Sequence, residues 1–285
     1  MSTAQLIGVV LGTVAFAAIG SFTCVVIDRL PVRLEEENRF GELWDTRPWP
    51  EVLGGTSRCS SCGAPVRPHH NIPVVSWLVL RGRCASCGER IPGFHPWVEL
   101  ASPVAFLLAV WAVGLEWTVV PVLWLIPAGL AIAVIDLRTL IVPTRIVWPA
   151  FFVSVALVVA VSGAEGEWKL LLSALVGLVA LAGPLFVLWF VLPSAMGFGD
   201  VRLTVLLGWT IGFYAGTDLV APVILALICL TLASVAGLVI GVVALGVRGR
   251  KAKVPFGPAL VLAAYACCLL AEPILEPFGV YVGTS

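Results

Sequence analysis

Asp136 and Asp200 are acids in a chain that is 60% hydrophobic and only 12% charged, with a mean hydropathy of +1.04. Each stands at the edge of a long apolar run, in Val134-Ile135-Asp136-Leu137-Arg138 and in Met196-Gly197-Phe198-Gly199-Asp200-Val201-Arg202-Leu203. A carboxylate at membrane depth costs roughly 2.5–3.5 kcal/mol on insertion scales, so acids in such places are functional candidates. If the two meet, they do not easily hold two negative charges, and the pair titrates jointly. One ionised and one neutral carboxyl is what aspartic proteolysis needs: the first takes a proton from water, the second donates to the scissile carbonyl. Gly197 and Gly199 remove side chains ahead of Asp200, which lets another backbone or a substrate approach. Two other readings stay open on these residues alone. Arg138 and Arg202 each sit two residues beyond an acid and could pair with it locally, and the same acids would suit an ion or proton pathway.

A second constellation is Cys59-Ser-Ser-Cys62 and Cys84-Ala-Ser-Cys87, with Gly63 and Gly88 directly after each pair. Two such pairs suit one tetrahedral ion held by four thiolates, the usual structural Zn²⁺ arrangement, in which four sulfur ligands leave no open position for catalysis; two redox pairs and a disulfide-stapled loop are the other readings of this spacing. Cys24, Cys229, Cys267 and Cys268 lie in apolar spans and read as small buried hydrophobes. His69, His70 and His95 read as surface or hydrogen-bonded groups, and Glu35, Glu36 and Glu37 as a solvated face. The stretch up to Thr56, with Pro48 and Pro50 and no clear period, reads as loop.

The elements that must position these residues are membrane helices. Runs of about 20 apolar residues are long enough to cross a bilayer. They fall near residues 4–27, 97–115, 117–135, 146–162, 170–192, 201–215, 219–247 and 255–271. The fold class expected is therefore an all-α polytopic membrane protein of about eight transmembrane helices. A small zinc-knuckle domain stands between helices 1 and 2. The division is 1–27 as the first helix, 28–96 as a cytosolic domain that binds zinc through its four paired cysteines, and 97–285 as the remaining seven spans. Alternate loops carry 16 of the 17 basic residues, while Lys169 is the lone cation on the other side. Basic loops stay in the cytosol. This orientation places the cysteine segment, Asp136 and Asp200 on the cytosolic side and both termini outside. The formal net charge is +0, which gives no case for a nucleic-acid partner.

Taken together the motifs resemble those of the type IV prepilin peptidases, GxGD-type aspartic membrane proteases, over nearly the whole chain. Gly197-Phe198-Gly199-Asp200-Val201-Arg202-Leu203 is similar to the glycine–aspartate motif of that family. Ile135-Asp136 with Leu140-Ile141-Val142-Pro143 is similar to the motif of its other catalytic aspartate. Gly20-Ser21-Phe22, Asn71-Ile72-Pro73, Pro96-Trp97-Val98-Glu99-Leu100 and Pro255-Phe256-Gly257-Pro258 resemble further signatures. The resemblance departs at Cys24, where Asn is usual, at Asp28, where His is common, and at His70, where Glu is usual. It implies a bifunctional enzyme of the bacterial inner membrane. Asp136 and Asp200 would cut the basic leader from type IV prepilins and pseudopilins. S-adenosylmethionine would then methylate the new N-terminus, an activity associated with the cysteine domain.

Overall fold

The computed structural model describes residues 2–34, 44–193, 196–248 and 254–280. Glu35, Glu36 and Glu37 lie outside them, as do Lys251 and Lys253. The chain divides into two compact units, Met1–Trp111 and Ala112–Ser285.

In the first unit, α1 (Thr3–Arg29) opens on a reciprocal cap. The Ser2 hydroxyl accepts from the Gln5 amide at 3.2 Å, and the Gln5 side chain accepts from the Ser2 amide at 2.8 Å. Such a cap satisfies two helix donors that would otherwise lack partners. The helix packs against α4 (Phe94–Val113) through Gly20, where a Cβ would stand 2.9 Å from the Ser102 Cβ. Ser102 also donates to the Phe16 carbonyl at 2.7 Å, and the Phe16 and Phe106 rings stack at 4.9 Å. Between α1 and α4 a two-stranded antiparallel hairpin pairs β1 (Pro31–Arg33) with β2 (Trp44–Thr46).

A short helix, α2 (Trp49–Leu53), follows where the sequence suggests loop. Pro50 falls in its first turn, where a fixed φ and a missing N–H cost nothing. The Arg29 guanidinium then binds the carbonyls of Val52, Gly54 and Thr56 at 3.1, 2.8 and 3.0 Å. These partners lie 23 to 27 residues away, so local pattern could not reveal them. Another short helix, α3 (Val75–Val79), lies between the two cysteine pairs.

The second unit holds α5 (Val120–Thr139), α6 (Thr144–Glu165), α7 (Lys169–Val191), α8 (Phe198–Tyr214), α9 (Ala221–Arg248), α10 (Gly257–Leu269) and α11 (Ala271–Leu275). The central helix is α8, which packs against α6, α7, α9 and α10 and is buried without a break from Leu206 to Tyr214. A helix that is apolar on every face belongs inside a bundle. Gly208 and Gly212, four residues apart, let the α7 backbone approach: a Cβ on Gly212 would stand 2.4 Å from the Ser173 carbonyl oxygen. Small residues at this spacing allow membrane helices to pack backbone to backbone.

Among the described residues six helices are long and apolar enough to cross a membrane, so this is a multi-pass membrane protein. The α10–α11 pair makes a seventh if counted as one span, although it bends by 88°. The expected count of eight requires α8 as well. Its 17 residues reach about 26 Å at 1.5 Å per residue, against roughly 30 Å of hydrocarbon. Being sheathed by other helices, α8 has little lipid contact to set its length.

Candidate functional site

Asp136 and Asp200 come together at one end of the second unit. Asp136 lies in the last turn of α5 and is 4% exposed. Asp200 lies in the first turn of α8, after Gly197 at the N-cap. The two helices run antiparallel and are tied at both ends. At the far end the Tyr214 hydroxyl donates to the Thr118 carbonyl at 2.6 Å and accepts from the Val122 amide at 3.1 Å. At the near end Val142, just after α5, packs on Gly199, where a Cβ would stand 2.9 Å from the Val142 Cβ. The carboxyls lie within electrostatic reach of each other.

The chain between the acids turns sharply. Leu140 closes α5 in the left-handed conformation (φ 60°), and its amide donates to the Asp136 carbonyl at 2.8 Å. Pro143 then stands at the N-cap of α6. Arg202 donates to the Thr144 hydroxyl at the start of α6 and lies 5.4 Å from the Phe198 ring centroid.

The glycines divide in their roles. Gly199 clears space for Val142 of the Leu140-Ile141-Val142-Pro143 segment. Gly197 has open surroundings, since its Cβ would meet nothing nearer than Asp200 Oδ2 at 3.8 Å. The position missing from the sequence-derived site is Gly257. Its amide, at the start of α10, donates to Asp136 Oδ2 at 2.9 Å. A free N–H at a helix N-terminus is a natural carboxylate donor. A Cβ on Gly257 would stand 2.7 Å from that same oxygen. The Pro255-Phe256-Gly257-Pro258 motif marks the residue, but only the fold shows that it touches Asp136, 121 positions away.

The four paired cysteines also converge, in the first unit. Their sulfurs all lie within 4.8 Å of one another, with Cys59 and Cys87 Sγ at 3.9 Å. The two turns have the same construction. The carbonyls of Cys59 and Cys84 each accept from the amide of the glycine four residues on, Gly63 and Gly88, at 2.9 Å. Both glycines have positive φ, 68° and 73°. The amides of Cys62 and Ser61 hydrogen-bond to the Cys59 sulfur and bring its pKa down to about 6. Those of Cys87 and Ser86 lower that of Cys84. Sulfurs sharing a tetrahedral ion through bonds of about 2.3 Å stand roughly 3.8 Å apart, so this donor set fits a metal. His69 and His70 lie on a separate turn, Pro68–His70.

Two family models match the chain: the bacterial peptidase A24 N-terminal domain over residues 14–113, and the type IV leader peptidase family over 123–242. A prepilin leader peptidase/N-methyltransferase of Pseudomonas putida is 32% identical, covering 93% of this chain and 92% of its own length. The chain belongs to the type IV leader peptidase family. Proteins of the same name from Stutzerimonas stutzeri and Neisseria gonorrhoeae are each 31% identical, over 91% and 90% of this chain and 90% and 88% of their own. No solved structure matches the chain. The first family match spans most of α1 through α4, with all four paired cysteines. The second contains Asp136, Asp200 and both neighbouring glycines but ends before Gly257.

Proposed function

We infer that the protein is a prepilin leader peptidase in which Asp136 and Asp200 form the catalytic pair. The observation that carries this reading is the convergence of the two carboxyls at one end of α5 and α8, with an α10 amide on Asp136. In the proposed reaction one ionised carboxyl takes a proton from water as its oxygen adds to the scissile carbonyl. The neutral partner donates its proton to the carbonyl oxygen. Collapse of the tetrahedral intermediate breaks the C–N bond: the first acid gives its proton to the leaving amine, and a hydroxyl of the intermediate returns a proton to the partner carboxylate, which forms the new carboxyl group and restores both acids. The Gly257 amide would hold Asp136 in place, because a displacement of about 1 Å can cost roughly 100-fold in rate.

The substrates are type IV prepilins and pseudopilins, whose basic leaders precede an apolar helix. The excess of basic residues in alternate loops supports a bacterial inner membrane, with the pair facing the cytosol and both termini outside. Cys59, Cys62, Cys84 and Cys87 would hold a structural Zn²⁺ that cross-links two turns too short to fold alone. The names of the relatives support methylation of the freed amine, and S-adenosylmethionine would be the methyl donor. Residues 28–96 would be the cytosolic domain serving it, and 97–285 the protease domain.

Co-expression with a prepilin, read by mass spectrometry of the pilin N-terminus, tests both activities. Asp136→Asn and Asp200→Asn should each lower cleavage by at least about 100-fold while the protein still inserts. Cleavage that survives either change would remove the pair from the mechanism. Mature pilin lacking the added methyl mass would separate the second activity from the first.

A further inference from the structure

Cys24, His95 and Glu99 offer one ligand atom each, all within 4.8 Å of one another. None of the three belongs to the four-cysteine cluster or to the aspartate site. Cys24 lies near the end of α1, and His95 and Glu99 lie in the first two turns of α4. They meet because these helices touch at Gly20, where a side chain would collide with Ser102 Cβ at 2.9 Å and Glu99 Cα at 3.1 Å. Cys24 and Glu99 are buried, at 2% and 9% exposure. A buried carboxylate needs a positive partner or several donors. Glu99 accepts the Val74 amide at 2.7 Å, and no Lys or Arg pairs with it among the described residues. Val74 itself has a φ of 61°, rare for a β-branched residue, and its amide binds Glu99 Oε2. His95 Nε2 lies 2.8 Å from Asp28 Oδ2, which leaves Nδ1 as its second ligating atom. Metal-bound histidines commonly give their other ring N–H to a carboxylate in this way.

We propose that Cys24, His95 and Glu99 form a second metal site in the first unit, suited to a divalent transition ion such as Zn²⁺, with Asp28 orienting the His95 ring. One thiolate, one imidazole and one carboxylate are a borderline-soft donor set that matches this class of ion. Ligands around a tetrahedral ion stand roughly 3.3–3.8 Å apart, so small side-chain rotations close the cluster. On binding, the Cys24 thiol gives up its proton, and with it the long contact to the His95 carbonyl at 3.7 Å. Three protein ligands leave a fourth position for water or another donor, unlike the closed set of four cysteines.

Cobalt tests the proposal on the full chain, purified in detergent under reducing conditions and stripped with chelator. Wild type should take up two Co²⁺ per chain. Cys24→Ser and Glu99→Gln should each bind one and keep the strong charge-transfer absorption of a four-thiolate site, which also reports that the fold is intact. Cys59→Ser combined with Cys62→Ser should bind one with the weaker absorption of a single thiolate. Asp28→Asn keeps all three ligands and should weaken only the second site, by about 10- to 100-fold. Saturation of wild type at one Co²⁺ with the four-thiolate absorption would overturn the proposal, as would two full equivalents retained by Glu99→Gln, a variant that preserves the shape and the Val74 contact.

Discussion

Each cysteine turn of the first unit closes within six residues, from the Cys59 amide to the Ala64 carbonyl and from the Cys84 amide to the Glu89 carbonyl. The aspartate site of the second unit draws on α5, α8 and α10, with a hydrogen bond that spans 121 positions. In the turns, sulfurs, amides and glycines follow from local backbone geometry, and the proposed ion would join two small exposed pieces. In the helical unit buried apolar faces hold the helix ends, and the helix ends hold the acids. The first construction is simple to encode and weak alone. The second takes most of the unit to build, and its geometry then rests on a few close contacts.

This contrast predicts that metal loss has the largest effect on stability and that it acts on the turns. Structural Zn²⁺ supplies roughly 10–16 kcal/mol of apparent binding free energy in small zinc domains. Replacing all four of Cys59, Cys62, Cys84 and Cys87 by Ser should abolish metal binding by the turns and open residues 57–92 to limited proteolysis. Resistance to protease equal to wild type would show that the segment is held by something other than the ion.

Next in size is a change that leaves the fold alone and moves one atom group. Gly257→Ala puts a methyl against Asp136 Oδ2, at 2.7 Å before adjustment. A carboxylate at the free end of a side chain rotates away at little cost in stability, but the rotation breaks its bond to the Gly257 amide. Cleavage of a prepilin should fall about 100-fold with thermal stability nearly unchanged. Wild-type cleavage by this variant would mean that the amide of α10 does not set the position of Asp136.

The smallest expected effect tests whether distant packing is spread thinly. Ser173→Ala removes the hydrogen bond from the Ser173 hydroxyl to the Gly212 carbonyl at 2.8 Å. Interhelical bonds of this kind average about 0.6 kcal/mol in membrane proteins. Denaturant unfolding in detergent should register a loss of that order without a change in cleavage. A loss several times larger would make the α7–α8 seam a hinge point of the unit rather than one contact among many.

Sequence by itself determined the class of fold and singled out the candidate residues for chemistry. Hydropathy located the helices to within a few residues, because an apolar run of bilayer length has few alternatives in structure. The spacing of Cys59, Cys62, Cys84 and Cys87 encoded their cluster, since each turn is a local object, and Asp136 and Asp200 stood out as acids at the edges of apolar runs. Sequence did not reveal α2, whose C-terminal end and following loop are bound by Arg29 from far along the chain, or the bend between α10 and α11. It marked Gly199 as a place of close approach and flagged the motif around Gly257, without naming what they meet: Val142 in one case, Asp136 in the other. Only the tertiary structure decided that His95 and Glu99 meet Cys24, a residue that reads along the chain as a small hydrophobe in an apolar helix. The physical reason is common to all of these. Periodicity and spacing report what a residue does to its own helix or turn, whereas a helix crossing brings together residues that no local rule relates.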